Sequence, residues 1–333
     1  MSQLLSIVIP VLNEEENLDE LYRRLSAAAP AWGLDWEVVF VDDGSTDRTL
    51  PILEDLNRKD ARVKVVSFSR NFGHQTAVTA GLQHTSGDVV AVMDADLQDP
   101  PEELPRFLAK WREGYHVVYA IRRKRKENAI KRAAYFLFYR LLASLSSIPI
   151  PLDSGDFCVM DRAVVDVLNA LPERNRFVRG LRTWVGYKQI GVEYERSARH
   201  AGEVKYTFRK LIRLAFDGLT NFSYRPLQLA TTLGFFTAGV SLFAILYSLV
   251  VWAFDIHIRG VSVWRLPGYT STILAVLFLG GVQLICIGIL GEYIGRIYDE
   301  VKQRPAYLVR KTVGFGARAG KEPSSHRGQG PVL

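Results

Sequence analysis

Residues 89–101 read Val89-Val-Ala-Val-Met-Asp-Ala-Asp-Leu-Gln-Asp-Pro-Pro101, an apolar run that ends in carboxylates and two prolines. The run predicts a buried strand, and the prolines prevent it from continuing within a central ladder because they have no backbone N–H. Asp94 and Asp96 should therefore lie at the carboxyl end of a strand, where an open α/β sheet binds its ligands. Mg²⁺ or Mn²⁺ is often held by one or two carboxylates together with substrate phosphates. The simpler alternative, helix capping by both carboxylates, is disfavoured by the sequence around them.

Strands alternate with helices on both sides of this stretch. Such alternation favours right-handed crossovers and a mostly parallel sheet, so the sequence predicts an α/β nucleotide-binding domain. Neither a Gly-x-Gly-x-x-Gly nor a Gly-x-x-x-x-Gly-Lys motif follows a predicted strand, which disfavours dinucleotide dehydrogenases and P-loop enzymes. The predicted strands are Leu5–Pro10, Trp36–Val41, Val63–Ser67, Val89 onward, Val117–Ala120, Phe157–Met160 and Gln189–Glu195.

Two long stretches without charge predict membrane helices. No charged residue lies between Arg225 and Asp255 or between Arg265 and Glu292, and about 20 apolar residues suffice to cross a bilayer. The predicted spans are residues 227–254 and 267–294, joined by a short external loop at 255–266. Lys and Arg flank the outer ends of this hairpin, so the positive-inside rule predicts that both ends face the cytoplasm. A buried soluble hairpin is the alternative, which the length of both runs disfavours.

The rest of the chain divides around this hairpin. Residues 1–205 form the predicted cytoplasmic catalytic domain, and 206–226 predict a juxtamembrane amphipathic helix with Arg209, Lys210 and Arg213. A second basic amphipathic segment, Asn128 to Ser146, is also expected at the lipid interface. Residues 295–333 are expected to be a cytoplasmic tail, partly disordered because it ends in Gly, Ser, Pro and basic residues. Net charge is +7, yet 48% of residues are hydrophobic, which disfavours a purely soluble basic protein. We expect no nucleic-acid partner.

The combined motifs resemble those of family-two glycosyltransferases. More narrowly, the chain is similar to polyisoprenyl-phosphate glycosyltransferases such as dolichol-phosphate mannose synthase and the bactoprenol glucosyl transferases, from about Leu5 to Leu308. The resemblance implies a GT-A fold and inverting transfer of a sugar from a nucleotide-sugar to a polyprenyl phosphate. The motifs, in order, are Ser6-Ile-Val-Ile-Pro, Asn13-Glu-Glu, Val41-Asp-Asp-Gly-Ser-Thr-Asp, Ser69-Arg-Asn-Phe-Gly, Asp94-Ala-Asp-Leu-Gln-Asp-Pro-Pro, Gly155-Asp-Phe and Gly202-Glu-Val-Lys-Tyr.

The resemblance also implies roles for individual residues. Val204 stands where the family's mobile loop commonly has a serine, so a hydroxyl contact is missing there. Pro10, Leu12, Glu14 and Asp43 correspond to contacts to the base and ribose; Asp94 to the ribose-side or metal-side carboxylate; Asp96 and Gln98 to ligands of Mg²⁺ or Mn²⁺; Arg122, Arg123 and Lys205 to cations for the diphosphate or the acceptor phosphate; and Asp156 to the proposed catalytic base.

The chemistry of the acceptor bears on Asp156. A phosphate monoester has a second pKa of about 6, so much of it is already a dianion at neutral pH and needs no base. We therefore hypothesise that Asp156 positions the acceptor or the sugar more than it abstracts a proton. A divalent ion and arginines would stabilise the charge that builds up on the leaving diphosphate.

Three other functions remain open from the sequence. A processive synthase usually carries Gln-x-x-Arg-Trp, whereas this chain has only Arg182-Thr-Trp184. A transferase to a neutral lipid hydroxyl would need Asp156 as a true base, and a noncatalytic flippase subunit would not need Asp94 and Asp96. UDP-glucose is the expected donor, with UDP-galactose, an aminoarabinose nucleotide and GDP-mannose as alternatives. We expect a homo-oligomer in the cell membrane.

Overall fold

The computed structural model describes residues 3–122, 154–174, 176–194, 225–254, 257–258, 261–262 and 269–316. The chain forms two compact units: Met1–Leu137 with Ile148–Thr207 and Pro305–Leu333, and Phe138–Ser147 with Phe208–Arg304. The strands of the first unit are β1 (Leu4–Val11), β2 (Asp35–Asp42), β3 (Val63–Phe68), β4 (Val89–Val92), β5 (Val117–Arg122), β6 (Ser154–Asp161), β7 (Gln189–Tyr194) and, after the second unit, β10 (Val309–Val313). Its α-helices are α1 (Leu18–Ala28), α2 (Thr49–Lys59), α3 (His74–Gln83), α4 (Leu104–Arg112), α5 (Arg162–Ala170) and α6 (Val178–Trp184).

The eight strands make one sheet in the order β10-β3-β2-β1-β4-β6-β5-β7. Strands β3, β2, β1 and β4 run parallel, and β6 lies antiparallel between β4 and β5. β7 pairs parallel with β5 at one end of the sheet. The prediction of a GT-A-like α/β domain with a mostly parallel sheet is confirmed.

The core lies between the sheet and the helices that cover its two faces. The central strands are buried along almost their whole length, as their continuous apolar sequences require. Leu18, Leu21 and Leu25 of α1 recur at helical spacing and are fully buried against this sheet. Helix α3 approaches even more closely, because a Cβ at Gly81 would lie 2.2 Å from Val8 Cγ1. Only glycine permits this contact.

Proline within a central strand needs a reason, since the ring removes a ladder donor. Pro10 lies in β1 between β2 and β4, and the Met93 N–H donates to Val8 O (3.1 Å) on the β4 side. Pro10 is two residues further along and so faces the same side, where the pairing with β4 has already ended at Val92. The absence of an N–H at Pro10 therefore removes no hydrogen bond from the β1–β4 ladder.

The chain returns to the sheet after the second unit, which corrects the expectation for residues 295–333. The sequence analysis gave that segment no strand, but β10 pairs antiparallel with β3. The Tyr307 ring stacks on Phe68 (4.9 Å between centroids), and its hydroxyl contacts Gln83 Oε1. The charged residues Arg310 and Lys311 favoured the prediction of a solvated tail. Both are exposed on β10, and charged side chains are common on edge strands. Residues 317–333, expected to be disordered, lie outside the described part.

The second unit is built from two long helices, α7 (Arg225–Ala253) and α8 (Tyr269–Val301), which contact each other. Between them, β8 (His257–Ile258) and β9 (Val261–Ser262) form a small antiparallel pair. Many large apolar side chains on both helices are exposed, including Phe235 at 77% and Leu284 at 72%. A Cβ at Gly288, Gly291 or Gly295 would meet no atom of the described residues within 4 Å.

Within the described residues, one helical segment is long and apolar enough to cross a membrane, Phe278–Val301, and Ala230–Phe243 is a shorter apolar helix. The predicted first crossing at 227–254 is thus helical in the structure, but its crossing of a membrane stays a prediction. The second helix continues to Val301, past the predicted boundary at 294. The predicted interface segment 128–146 and all but the last two residues of 206–226 lie outside the described residues.

Candidate active site

The carboxyl ends of β1 and β2 carry two loops that hold each other in place. Asn13 has a positive φ of 54°, and its Oδ1 accepts from the Thr46 N–H (2.8 Å). The Glu14 N–H donates to Thr49 Oγ1 (2.9 Å), while Glu14 Oε2 accepts from Asn17 Nδ2 (2.6 Å). Of the other residues assigned to the base and ribose, Pro10 is buried in β1 and Leu12 is exposed directly after it.

Asp43 links β2 to the loop that follows β3. Its carboxylate is 3% exposed and accepts from the backbone N–H groups of Phe72 (2.6 Å) and Gly73 (2.9 Å). Burial raises the pKa of Asp43, and the two N–H groups oppose that shift. Gly44 must be glycine here, since its φ is +74° and a Cβ would lie 2.5 Å from Arg70 C. Asp43 thereby fixes the turn from which α3 begins; a contact to the nucleotide stays a prediction.

The two central carboxylates of the site meet because of strand register. β4 and β6 are antiparallel with Val92 opposite Cys158, so two residues beyond β4 Asp94 falls opposite Asp156. Past Asp94 the chain turns sharply: Leu97 has a φ of 61°, and the Gln98 N–H donates to Asp96 Oδ1 (3.2 Å). These contacts gather the predicted metal ligands Asp94, Asp96 and Gln98 into one turn.

His74, which the sequence analysis missed, lies between the two carboxylates. Its Nε2 is 3.4 Å from Asp156 Oδ2 and 3.8 Å from Asp94 Oδ1. Burial alone would lower the pKa of His74, but the hydrogen bond to Asp156 and both negative charges raise it to about 9. The signal was available in the sequence, because His74 directly follows the Asn71-Phe-Gly turn at the binding edge of the sheet.

Arginines on α6 face the other side of Asp156. Arg179 Nη2 lies 3.2 Å from Asp156 Oδ1, and the charge of Arg182 also acts on this carboxylate. Burial would raise the pKa of Asp156, but Arg179, His74 and Arg182 together hold it well below its usual range. Asp156 is therefore an ionised carboxylate with a cation at each oxygen. Neither arginine was assigned to the site from the sequence.

Negative charge accumulates on the Asp94 side. Burial, followed by the charges of Asp99, Asp156 and Asp96, raises the pKa of Asp94 to about 7, although His74 opposes the shift. Asp99 is itself buried and accepts from the Tyr194 hydroxyl (2.6 Å), which pins this turn to β7. The described residues contain no cluster of three or more His, Cys, Asp or Glu side chains suited to a metal. Crowded carboxylates beside an amide nevertheless fit Mg²⁺ or Mn²⁺ that is shared with phosphates.

Of the remaining predicted cations, only Arg122 belongs to the described residues. Arg122 ends β5, opposite Tyr194 of β7 in the strand register. Arg123 and Lys205 lie outside the described residues.

Comparison with known proteins identifies the family of the chain. Residues 6–168 match Glycosyl transferase family 2, and residues 225–297 match the GtrB C-terminal hairpin. An uncharacterized glycosyltransferase of Bacillus subtilis, YkcC, is 46% identical over 93% of this chain and 94% of its own length. The chain belongs to glycosyl transferase family 2. It is a glycosyltransferase.

A second relative resembles the chain over most of its length. The SfII prophage-derived bactoprenol glucosyl transferase of Shigella flexneri is 42% identical over 92% of this chain and 98% of its own length. Among solved structures, glucosyl-3-phosphoglycerate synthase from Mycobacterium tuberculosis, with Mn²⁺, UDP-glucose and phosphoglyceric acid, has a TM-score of 0.45 and 20% identity. The structural match covers 66% of this chain and 78% of the synthase chain.

Proposed function

We propose that this glycosyltransferase moves glucose from UDP-glucose to a polyprenyl phosphate at the cytoplasmic face of the cell membrane. The names of its relatives support the sugar and the lipid. The observation that carries the proposal is the meeting of Asp94 and Asp156, with carboxylates gathered on one side and cations on the other. Such a site suits a cation-bound diphosphate donor beside an anionic acceptor.

The reaction is an inverting displacement. An acceptor phosphate oxygen forms a bond to the anomeric carbon as the bond to the nucleoside diphosphate breaks on the opposite face, and the electron pair leaves with the diphosphate. Asp94, Asp96 and Gln98 would hold Mg²⁺ or Mn²⁺, which would stabilise the charge of the leaving diphosphate. Arg122, Arg123 and Lys205 are proposed as further cations for the phosphates, and Pro10, Leu12, Glu14 and Asp43 as contacts to the uridine.

The hairpin supports a lipid acceptor. Exposed apolar side chains along α7 and α8 would be stable in hydrocarbon and unstable in water. We propose that both helices cross the membrane, with 255–266 outside and both flanking segments in the cytoplasm. The glycines of α8, which have open space beside them, leave room for a second copy of the chain.

A neutral lipid hydroxyl is the less favourable acceptor. A hydroxyl must lose its proton during transfer, and the pKa of Asp156 lies well below its usual range because of Arg179 and His74. Such a carboxylate is a weak base. A phosphate dianion avoids this requirement.

The test is transfer of labelled sugar into a solvent-extractable lipid by purified full-length protein. The assay supplies polyprenyl phosphate, Mg²⁺ or Mn²⁺, and in turn UDP-glucose, UDP-galactose, an aminoarabinose nucleotide and GDP-mannose. We expect product with UDP-glucose, lost with chelator and with Asp96→Ala. UDP-glucose binding without any lipid product would refute the acceptor, and product from another donor alone would refute the sugar.

A further inference from the structure

The arginine pair of α6, Arg179 and Arg182, has no role in the proposed reaction as the family resemblance describes it. The two side chains are one helical turn apart and therefore share a face of α6. Arg179 is 25% exposed and contacts Asp156, whereas Arg182 is 1% exposed and lies behind it against the Tyr119 ring (5.4 Å). One guanidinium can thus reach a ligand, and the other can act only through its charge.

The position of α6 is fixed against the helix that carries His74. The Val178 N–H donates to Gln75 Oε1 (2.9 Å), and the Leu181 side chain is buried, with 5% of its surface exposed. Because Gln75 directly follows His74 and Val178 directly precedes Arg179, this bond joins the two chain segments that carry the cations on either side of Asp156.

Three cations surround the one carboxylate of Asp156, while the other carboxylates of the site lie on the Asp94 side. Arg179, Arg182 and His74 all act on Asp156, while His74 is shared with Asp94. Among the described residues, neither Nε nor Nη2 of Arg182 has a hydrogen-bond partner, and the same holds for Nε of Arg179. Buried guanidinium groups are normally paired, because an unpaired buried charge is strongly unfavourable. Arg179 is the part-exposed member of the pair, so its guanidinium can bind a second anion beside Asp156.

We propose that Arg179, with the charge of Arg182 behind it, binds the phosphate of the polyprenyl acceptor. The inference rests on the proposed function and assigns the acceptor phosphate to residues that the resemblance did not name. A guanidinium donates two parallel hydrogen bonds to a phosphate, which also fixes the orientation of the attacking oxygen. Asp156 then shares Arg179 with the phosphate, and Arg182 positions Arg179 without touching the ligand.

The distribution of charge assigns the two phosphate-bearing substrates to different residues. The donor diphosphate would be drawn to a divalent cation held by Asp94, Asp96 and Gln98, and the acceptor phosphate to Arg179. The carboxylate of Asp156 lies between the two groups.

The test uses steady-state kinetics of the detergent-solubilised full chain with Arg179→Gln, Arg179→Lys and Arg58→Gln. Arg58 is a matched control, since it is 73% exposed and pairs only with Asp55 on the surface of α2. We expect Arg179→Gln to raise the KM for polyprenyl phosphate by about 10- to 100-fold, the range supplied by a charged hydrogen bond. The KM for UDP-glucose should change by less than about twofold. Arg179→Lys keeps the charge and should show a smaller rise.

Inhibition by a substrate analogue distinguishes loss of acceptor binding from loss of structure. A short-chain prenyl phosphate should inhibit the parent enzyme and Arg58→Gln, and should inhibit Arg179→Gln at least about tenfold more weakly, while UDP inhibits all three equally. If Arg179→Gln melts early, Arg179→Lys carries the same comparison.

Two results would overturn the inference: a rise in the KM for UDP-glucose instead of the acceptor, or a fall in kcat with both KM values unchanged. In the second case Arg179 would serve only to hold Asp156. A parent enzyme that makes no lipid product would refute the proposed function instead, so the two failures are distinguishable.

Discussion

Asp156 shows how neighbouring charges decide what a carboxylate can do. Arg179 and His74 occupy its two oxygens, so the pKa lies well below that of a free aspartate. Its ionised form is stabilised, and it stays ionised throughout the working pH range. A group that does not take up a proton there cannot define the acid limb of the pH profile.

We expect Asp156→Asn to keep the acid limb of the pH profile; the loss of its charge beside His74, whose pKa of about 9 depends in part on Asp156, acts at the alkaline end. With Asp156 ionised throughout, the acid limb of kcat/KM for the acceptor should follow the second ionisation of the acceptor phosphate, at about pH 6. The variant should retain most activity at high pH. The measurement is lipid-linked glucose formed between pH 5 and 9, with Asp166→Asn as control because Asp166 is 64% exposed on α5. Loss of activity at every pH would contradict the positioning role.

Glu37 makes the acid stability of the domain testable. It lies in β2, accepts from Ser6 Oγ (2.6 Å) and from Ser86 N (2.9 Å), and pairs with Lys64. Burial opposes ionisation, but Lys64 and these donors lower the pKa of Glu37 overall. Its stabilising contribution is therefore complete above the unfolded pKa of about 4.3 and is lost as pH falls through the folded value.

Glu37→Gln should therefore destabilise the protein at neutral pH by about 3 kcal/mol, as expected when a buried pair loses one partner. Thermal melting in detergent should show the largest difference from the parent above about pH 4.3 and a smaller one below it. Glu113→Gln is the matched control, since Glu113 is 51% exposed in its pair with Lys110. A difference that stays constant down to pH 3 would contradict the role of the charge.

Among the elements, those with strong local periodicity were predicted well from the sequence. The predicted strands, from Leu5–Pro10 to Gln189–Glu195, all appear within a few residues of their predicted places. The contacts of Asp156 were not predictable, because register alone brings it to Asp94, and α3 and α6 bring His74 and Arg179 from far away in sequence. Pairing between distant segments leaves no mark in local periodicity.

Strand β10 was missed for the same reason, and its anchor can be tested. Tyr307 is half-buried and stacks on Phe68, and burial raises its pKa to about 12. Tyr307→Ala should destabilise the domain by about 2–4 kcal/mol and lower Tm by several degrees. Leu308→Ala removes a 54% exposed neighbour and should lower Tm by a degree or less. Equal effects of the two variants would mean that β10 adds no stability through the Tyr307 contact.

For the whole molecule, the charge distribution predicts a topology that labelling can check. In a background with Cys158→Ala and Cys286→Ser, Ser262→Cys should react with a membrane-impermeant maleimide on intact cells. Ser325→Cys should react only after permeabilisation, because basic residues near the membrane ends stay in the cytoplasm. Labelling of both sites from outside, or of neither, would contradict a two-span hairpin.

The return of β10 to β3 has a consequence for biosynthesis. Lys311 pairs with Glu54, 257 residues earlier in the chain. At about 5–20 residues per second, the ribosome makes the last strand on the order of 10–50 s after the segment it must join. During that interval the edge of β3 is open while α7 and α8 are being synthesised, and an open edge can pair with another chain. A stop codon just after α8 would leave a chain with every proposed active-site residue but with the β3 edge permanently unpaired, and we expect such a chain to aggregate more readily than the full-length protein.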